Sequence, residues 1–477
     1  MTLKELLSAI GADSQNDTEV NAVLCDSRLI GKNDVFVCLV GDTVDGHNYA
    51  QMAVDRGAIA VIAQKDLGLD CQVVVPDTRV AYVHLCRHLN GHPEQQLKMV
   101  GVTGTNGKST VTSLIKQMVE FAGEKAGLIG TIEYVIDKAV LPSKHTTPEP
   151  DELYALFKIM LGAGCGYAVM ETSSQALVQG RLIDLMHEVG VFTNLTQDHL
   201  DYHKDMETYF EAKKMLFDQT KTAAINIDCP YGRRLVETTT VPTITFSCTT
   251  QADLYADNIC YNVSGVTFDI HYQGQTLPCV FNMPGSFSVS NALACTAACL
   301  QLGLPLAFIC ENLPRLKGPS GRVEVLYSGD FTVICDYAHS PDSMDNVLGT
   351  IRPFTKGRLI CMFGCAGRRD PSKRAPMAAV AAKWSDFVII TSDNPRDEDP
   401  YVVAADAAKG LEGTNVPFYV EPDRYFAINW AMENAQKDDV IVLCAKGHED
   451  YQTMYPFSLY MDEHEVVRNA VKRLGLK

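Results

Sequence analysis

Basic residues are outnumbered in this chain of 477 residues. Lysine and arginine total 41 against 58 aspartates and glutamates, a net charge of −17. That balance argues against nucleic-acid binding and adhesion to anionic membranes, both of which draw on positive surface. Local loops can still be positive and hold an anionic substrate. Long apolar runs are lacking as well. The longest, residues 292–310, is interrupted by Gln301, Gly303 and Pro305 and reads as a buried helix and a loop, not a membrane span. Residues 1–13 form a short amphipathic helix pattern with neither a basic start nor a small-residue cleavage site, so no signal peptide is expected. There is no internal repeat and no low-complexity tract. Cysteine is plentiful, at 16 residues, but most of it lies in apolar runs, as at Cys38, Cys295, Cys299 and Cys335. That is the usage of buried, reduced thiols, not of a disulfide framework. Cys361 and Cys365, spaced C-x3-C across a strand end, read the same way ahead of a metal site. A cytoplasmic protein with no stable membrane insertion is the expectation.

An apolar fraction of 46% and a charged fraction of 21% are ordinary for a globular chain. At roughly 100–200 residues per domain, the length suggests about three domains. The first segment alternates short apolar runs (22–25, 35–40, 58–63, 73–75) with turns, and a polar stretch at 88–98 closes it. The second has strand patterns at 167–170, 189–194 and 223–227. Lys317-Gly318-Pro319-Ser320-Gly321 reads as a linker. Beyond it lie strand patterns at 332–335, 359–363, 387–391, 418–420 and 440–443. Domains at 1–96, 97–317 and 318–477 follow. Strands alternating with helices imply an α/β protein with mostly parallel sheets.

Residues 100–110 read Val-Gly-Val-Thr-Gly-Thr-Asn-Gly-Lys-Ser-Thr. An apolar run, 99–102, leads in. Val111, Leu114, Ile115 and Met118 follow at helical spacing. A strand, a glycine loop with Lys-Ser and a helix together bind a nucleoside triphosphate, ATP or GTP. Backbone N–H groups wrap the phosphates and the helix N-terminus favours negative charge. Lys108 would reach the outer phosphates, and Ser109 or Thr110 would hold Mg²⁺. Five residues separate Gly101 from Gly107, where the usual loop has four.

Polar clusters follow nearly every strand end, which is where ligands bind in open α/β sheets. They are 26–28, 171–174, 194–199, 336–339, 364–369, 393–396 and 446–449. Glu171 and His199 could complete Mg²⁺ coordination beside a triphosphate. Taken alone, Glu171 reads equally as a solvated carboxylate, whereas His199 reads first as a structural histidine and Lys213 first as a surface lysine. In Asp393-Asn394-Pro395-Arg396 the proline fixes the loop and the arginine offers a planar fork for a carboxylate; a simple turn is the plainer alternative.

These motifs together resemble the Mur ligases, the ATP-dependent amino-acid-adding enzymes of peptidoglycan synthesis. The segments that carry the likeness are TGTNGKST at 103–110, NLTQDHLDYH at 194–203, the lysine in YFEAKKMLF and DYAHSPDSM at 336–344. DSR at 26–28, HTTP at 145–148, SSQALVQGR at 173–181, DNPR at 393–396 and KGHEDYQ at 446–452 resemble the branch that adds the third residue. The resemblance covers nearly the whole chain. It implies a central P-loop ATP-binding parallel sheet and a C-terminal Rossmann-like domain.

The resemblance also implies roles for single residues. Ser27 and Asp42, Thr43 and Val44 would contact the UDP part of UDP-MurNAc-L-Ala-D-Glu. Thr146, Thr147, Ser173, Gln179 and Arg181 would hold its dipeptide end. Gly104, Thr105, Asn106, Gly107, Lys108, Ser109 and Thr110 would bind ATP phosphates, and Asn291, Arg322 and Asp336 the rest of that nucleotide. Glu171 and His199 would bind Mg²⁺. Lys213, ahead of its neighbour Lys214, is similar to the family lysine that becomes a CO₂-derived carbamate, an anion that helps hold a second Mg²⁺. Arg369, Asp393, Asn394, Pro395, Arg396, Ala445 and Glu449 would form the pocket for meso-diaminopimelate. Arg396 would take its far carboxylate, and Glu449 its far ammonium. L-Lysine, which lacks that carboxylate, is the alternative amino acid. Gln175 and Ala445 depart from the family pattern, where histidine and glycine are common. A monomer is expected.

Overall fold

Strand Lys98–Thr103 is built from Val100, Val102 and a buried Thr103, and it is covered on both faces, as a central parallel strand must be. This computed structural model describes residues 1–476 apart from 42, 43, 197–199, 263, 264 and 286, and apart from the side chains of 200 and 201. The chain divides into two compact units. The first is Met1–Tyr255 with Leu293–Ile309, and the second is Ala256–Ala292 with Cys310–Lys477. The position near 96, where the sequence changes character, lies inside the first unit.

The first unit contains two sheets. Residues Val23–Leu24, Val35–Val37, Ala60–Ala63 and Gln72–Val74 form a four-stranded parallel sheet in chain order. Within the apolar run 35–40 the strand itself ends at Val37, and Cys38 beyond it is still buried. Val40 is exposed and bridges only Asp45. The larger sheet runs Thr243–Ser247, Thr220–Asn226, His187–Phe192, Lys98–Thr103, Tyr167–Glu171, Ala126–Ile129, all parallel. Lys98–Thr103 has a later strand on each side, so the chain leaves it in one direction and returns on the other. This is the switch point at which α/β sheets open a ligand crevice. Register places Glu171 level with Val102, and Phe192 level with Thr103. Three site-bearing loops therefore leave one edge side by side.

Strands Glu133–Ile136 and Ala139–Pro142 extend this sheet antiparallel, an edge that the parallel expectation did not include. Their apolar runs, 134–136 and 139–141, are short and close together, and Ala139–Pro142 is exposed along its length, so they do not stand out as strands of a buried sheet. Gly265–Tyr272 and Gln275–Phe281 in the second unit likewise pair antiparallel. Helix Lys108–Phe121 buries Val111, Leu114, Ile115 and Met118, the stripe read from the sequence. The N-terminal helix is Leu3–Ser8, held by a capping box between Thr2 and Glu5.

The second unit holds a six-stranded sheet, ordered Glu324–Ser328, Thr332–Asp336, Val440–Cys444, Leu359–Cys365, Phe387–Ser392, Phe418–Val420. It is parallel except for its first strand. Cys361 and Cys365 are buried within one of these strands and are free thiols. A hairpin, Tyr451–Met454 with Phe457–Tyr460, follows. Among the described residues no helix is long and apolar enough to cross a membrane.

Candidate active site

In the first unit the glycine loop leaves the sheet at Gly104, whose φ of +151° is a conformation that residues with a Cβ rarely adopt. A side chain there would also collide with Thr193 Oγ1. The loop is clasped from the adjacent strand end. Thr105 N donates to Asn194 O (2.9 Å), Asn106 N to Asn194 Oδ1 (3.0 Å) and Thr193 Oγ1 to Asn106 O (2.7 Å). Gly107 caps helix Lys108–Phe121 with no side-chain hydrogen bond, so the first-turn N–H groups are not closed off by a capping side chain. Lys108 Nζ folds back onto Gly104 O (3.0 Å) and Thr105 O (2.9 Å). Gly101 is not part of this loop. It lies within the strand, where a Cβ would come within 2.7 Å of the His187 ring. The five-residue glycine spacing noted in the sequence therefore counts a packing glycine.

Lys213 is 1% exposed. It sits in helix Met206–Lys214, where Asp205 caps the first turn. Its Nζ donates to Gly104 O (2.8 Å) and lies 4.5 Å from the centre of the Tyr209 ring. The surface-lysine reading fails on that burial, whereas Lys214 reaches Glu211 (3.3 Å) at the surface. Glu171 is also 1% exposed and is not the solvated carboxylate of the plainer reading. Its Oε1 accepts from Thr131 N (2.8 Å) and its Oε2 from Thr131 Oγ1 (3.0 Å). His199, Asp42 and Thr43 lie outside the described residues.

The residues expected at the dipeptide end are brought together. Thr147 Oγ1 donates to Glu171 O (2.8 Å) and accepts from Ser173 N (3.0 Å), and Thr146 Oγ1 lies 3.0 Å from Thr131 Oγ1. Arg181 donates to Thr147 O (2.6 Å) and to Gln179 Oε1 (2.7 Å). Glu149 accepts from Arg181 (2.8 Å) and from Arg79 (2.5 Å). Ser27 is buried against Met52, and Val44 is exposed; among the described residues no hydrogen bond joins either to the dipeptide-end group.

In the second unit, Asp336 is buried at its strand end and accepts from Val323 N (2.8 Å) and Ala338 N (2.7 Å). Burial raises its carboxyl above the ordinary value, although these two bonds pull the other way. Arg322 stacks over Tyr337, 5.3 Å from the ring centre. Asn291 is buried on helix Ser288–Gln301.

Asp393–Arg396 and Ala445–Glu449 meet through side chains. Asn394 Nδ2 donates to Glu449 Oε2 (2.9 Å), and Lys446 Nζ donates to the same oxygen (2.8 Å) and to Asn394 Oδ1 (3.2 Å). Burial pushes the Glu449 carboxyl up, but the Lys446 ammonium, with help from the Asn394 hydrogen bond and His448, outweighs this and holds it below the ordinary value. Burial raises Asp393. Arg396 donates Nη1 to Gly367 O (2.8 Å). Among the described residues, no carboxylate lies within ion-pairing distance of Arg396, and Arg369 is exposed without a partner. Ala445 has φ +92°, a region that favours glycine and explains why glycine is common there.

Domain families match three successive stretches: "Mur ligase family, catalytic domain" at 19–85, "Mur ligase middle domain" at 102–299 and "Mur ligase, glutamate ligase domain" at 321–447. The UDP-N-acetylmuramoyl-L-alanyl-D-glutamate–2,6-diaminopimelate ligase of Clostridium botulinum is 41% identical, over 96% of this chain and 97% of its own length. The chain belongs to the Mur ligase family. A Listeria innocua protein of the same name is 41% identical over the full length of both chains. A solved structure of a ligase of that name superposes with a TM-score of 0.75 at 31% identity, covering all of both chains. The chain is thus an ATP-dependent, amide-bond-forming ligase.

Several parts of this Mur ligase's site escaped the sequence reading. Thr131 follows Ile129, the end of a strand whose apolar run is only 126–129. Arg79 and Glu149 belong to no polar cluster at a strand end. Lys446 lies in the 446–449 cluster read from the sequence, where Glu449 alone carries an expected role.

Proposed function

We propose that this Mur ligase joins meso-diaminopimelate to UDP-MurNAc-L-Ala-D-Glu, driven by ATP, in making peptidoglycan precursors. The observation that carries the choice of amino acid is Arg396. It is half-buried, anchored by one nitrogen to Gly367 O, and within ion-pairing distance of no protein carboxylate among the described residues. A second carboxylate on the incoming amino acid would pair with it, whereas the ammonium of lysine would be repelled. The names of the relatives in Clostridium and Listeria support the same choice.

In the proposed reaction the γ-carboxylate of D-glutamate attacks the γ-phosphorus of ATP. A carboxylate–phosphorus bond forms, the bond to the β,γ-bridging oxygen breaks, and ADP leaves. The diaminopimelate amine then attacks the acyl carbon, phosphate departs with the bonding electrons, and the amine loses a proton. Residues 104–110 would hold the phosphates, with Lys108 on the outer ones; Asn291, Arg322 and Asp336 would hold the nucleoside. Ser27, Asp42, Thr43 and Val44 would contact the UDP group. Thr146, Thr147, Ser173, Gln179 and Arg181 would seat the dipeptide. Arg369, 393–396, Ala445 and Glu449 would orient diaminopimelate.

A magnesium ion fits the donors present. Thr131 donates one bond to each Glu171 oxygen and leaves each a further lone pair, and Ser109 or Thr110 adds a hard oxygen. His199 and a carbamate on Lys213 complete the proposed set. When bound, the metal offsets charge on the transferred phosphoryl group. Segments 1–96, 97–317 and 318–477 would carry the UDP-sugar, ATP and amino-acid tasks respectively. One chain holds every residue required, so a monomer suffices. Use of ATP and a nucleotide-linked substrate supports a cytoplasmic location for the proposed reaction.

The test is ADP release with the UDP-dipeptide and a panel of amino acids. Turnover with meso-diaminopimelate well above that with L-lysine is expected. Equal or better use of lysine overturns the assignment.

A further inference from the structure

We propose that Arg424 is a positioning residue for the incoming amino acid, holding in place both loops that form its pocket. This rests on the reading of 393–396 and 445–449 as that pocket. Arg424 lies in helix Arg424–Glu433, outside every motif noted above, and is 1% exposed. Its Nη1 donates to Ser392 O (3.0 Å) and its Nη2 to Cys444 O (2.7 Å), while Nε donates to Glu463 Oε1 (2.8 Å). Ser392 and Cys444 are the last residues of strands Phe387–Ser392 and Val440–Cys444. These strands are not neighbours, because Leu359–Cys365 lies between them. The guanidinium spans that middle strand and ties down the two peptide units from which the loops depart.

The chemistry calls for arginine. A planar fork with donors on all three nitrogens serves two carbonyls and a carboxylate at once; a lysine ammonium is a point charge without that geometry. Glu463 is fully buried, and its Oε2 accepts from Cys335 Sγ (3.2 Å), so the pair is partnered on both sides.

The tie bears most on Cys444. The next residue, Ala445, has φ +92°, and such a backbone persists only where its surroundings over-determine it. Arg424 fixes the carbonyl of Cys444, and Ala445 N donates to Asp336 O (3.1 Å). Farther along the loops, Glu449 joins the two through Asn394 (2.9 Å). The loops are thus fastened at their base by Arg424 and higher up by Glu449. Loosening the base would misplace Arg396 and Glu449 without touching the phosphate loop.

The experiment measures steady-state kinetics for all three substrates, with a thermal melt on each variant. Arg424→Lys keeps a cation beside Glu463, and Arg424→Met with Glu463→Gln removes both buried charges together, so neither leaves a lone charge. Each is expected to raise KM for meso-diaminopimelate about tenfold or more and to narrow its preference over lysine, with KM for ATP and the UDP-dipeptide within about twofold. Glu463→Gln alone strips the buried guanidinium of its countercharge and is expected to lower the melting temperature, while KM for all three substrates in the folded protein stays near wild type, because Arg424 still holds both carbonyls. A folded Arg424→Met, Glu463→Gln protein with the wild-type KM for diaminopimelate overturns the proposal, as does an equal rise for all three substrates. A wild-type enzyme that ignores diaminopimelate would instead defeat the reading of the pocket.

Discussion

The phosphate side of the first unit and the amino-acid pocket of the second are both built on strand ends, but they hold their charges differently. On the phosphate side, charged groups meet the dipoles of the glycine loop and of Thr131. Glu171 sits on Thr131, and Lys108 and Lys213 donate to carbonyls of the glycine loop. In the amino-acid pocket, charges are paired inside the protein, Lys446 with Glu449 and, beneath, Arg424 with Glu463. The first arrangement suits a site whose ligands bring dense charge of their own. The second suits a zwitterionic ligand, for which the protein must fix a pattern of sign and leave selected groups, Arg396 and Arg369, to meet it.

The largest effect should come from breaking the phosphate side. Lys213→Ala removes a buried amine 2.8 Å from the loop and, if that amine is carbamylated, an anion beside the reacting phosphoryl group. Loss of a group of this kind costs about a hundredfold to a thousandfold in kcat. ADP release measures it. Full activity would defeat the carbamate proposal, and rescue by short-chain carboxylic acids would support it.

Breaking the pocket should act on one substrate only. Arg396→Ala deletes the cation offered to the far carboxylate. A charged hydrogen bond is worth about 1.5–3 kcal/mol, so kcat/KM for meso-diaminopimelate should fall roughly tenfold to a hundredfold. KM for ATP should hold, and lysine should be used relatively better. A parallel fall with lysine would show that Arg396 does not read that carboxylate.

The same contrast governs what could be read in advance. The glycine loop, Glu171 and 393–396 were legible because each is contiguous in sequence and follows an apolar run. The parallel strands were legible for the same reason. The antiparallel edge at 133–142 was not, since its apolar runs are short and its outer strand, although apolar in sequence, is exposed. Thr131, Glu149 and Arg424 were hidden for a different reason. Each acts by contact with residues far away in sequence, and an isolated Thr, Glu or Arg carries no local signal. Gly101 was misread because spacing alone cannot separate a glycine that wraps a ligand from one that admits a histidine ring.

That last distinction can be tested directly. Gly101→Ala should place a methyl group against the His187 ring, which burial already keeps neutral, with its pKa lowered to about 4. Overpacking of this sort costs about 1–3 kcal/mol, to be read as a lower melting temperature. KM for ATP in the folded fraction should be unchanged, because Gly104 and Gly107 make the loop. A selective rise in KM for ATP would return Gly101 to the phosphate site.

Ala445 is the opposite case, and the effect there should be smallest. Its Cβ is accommodated, but its φ of +92° is not one that a Cβ favours. Ala445→Gly relieves that strain and adds freedom to the unfolded chain, and the two terms oppose each other. A net stabilisation of under about 1 kcal/mol is expected, seen as a small rise in melting temperature. The bonds of Cys444 O to Arg424 and of Ala445 N to Asp336 O do not involve the methyl group, so the loop should keep its course and KM for diaminopimelate should stay close to wild type. A large change in that KM would mean that the methyl group itself shapes the pocket, and that this enzyme's departure from glycine is a matter of amino-acid preference and not of backbone strain.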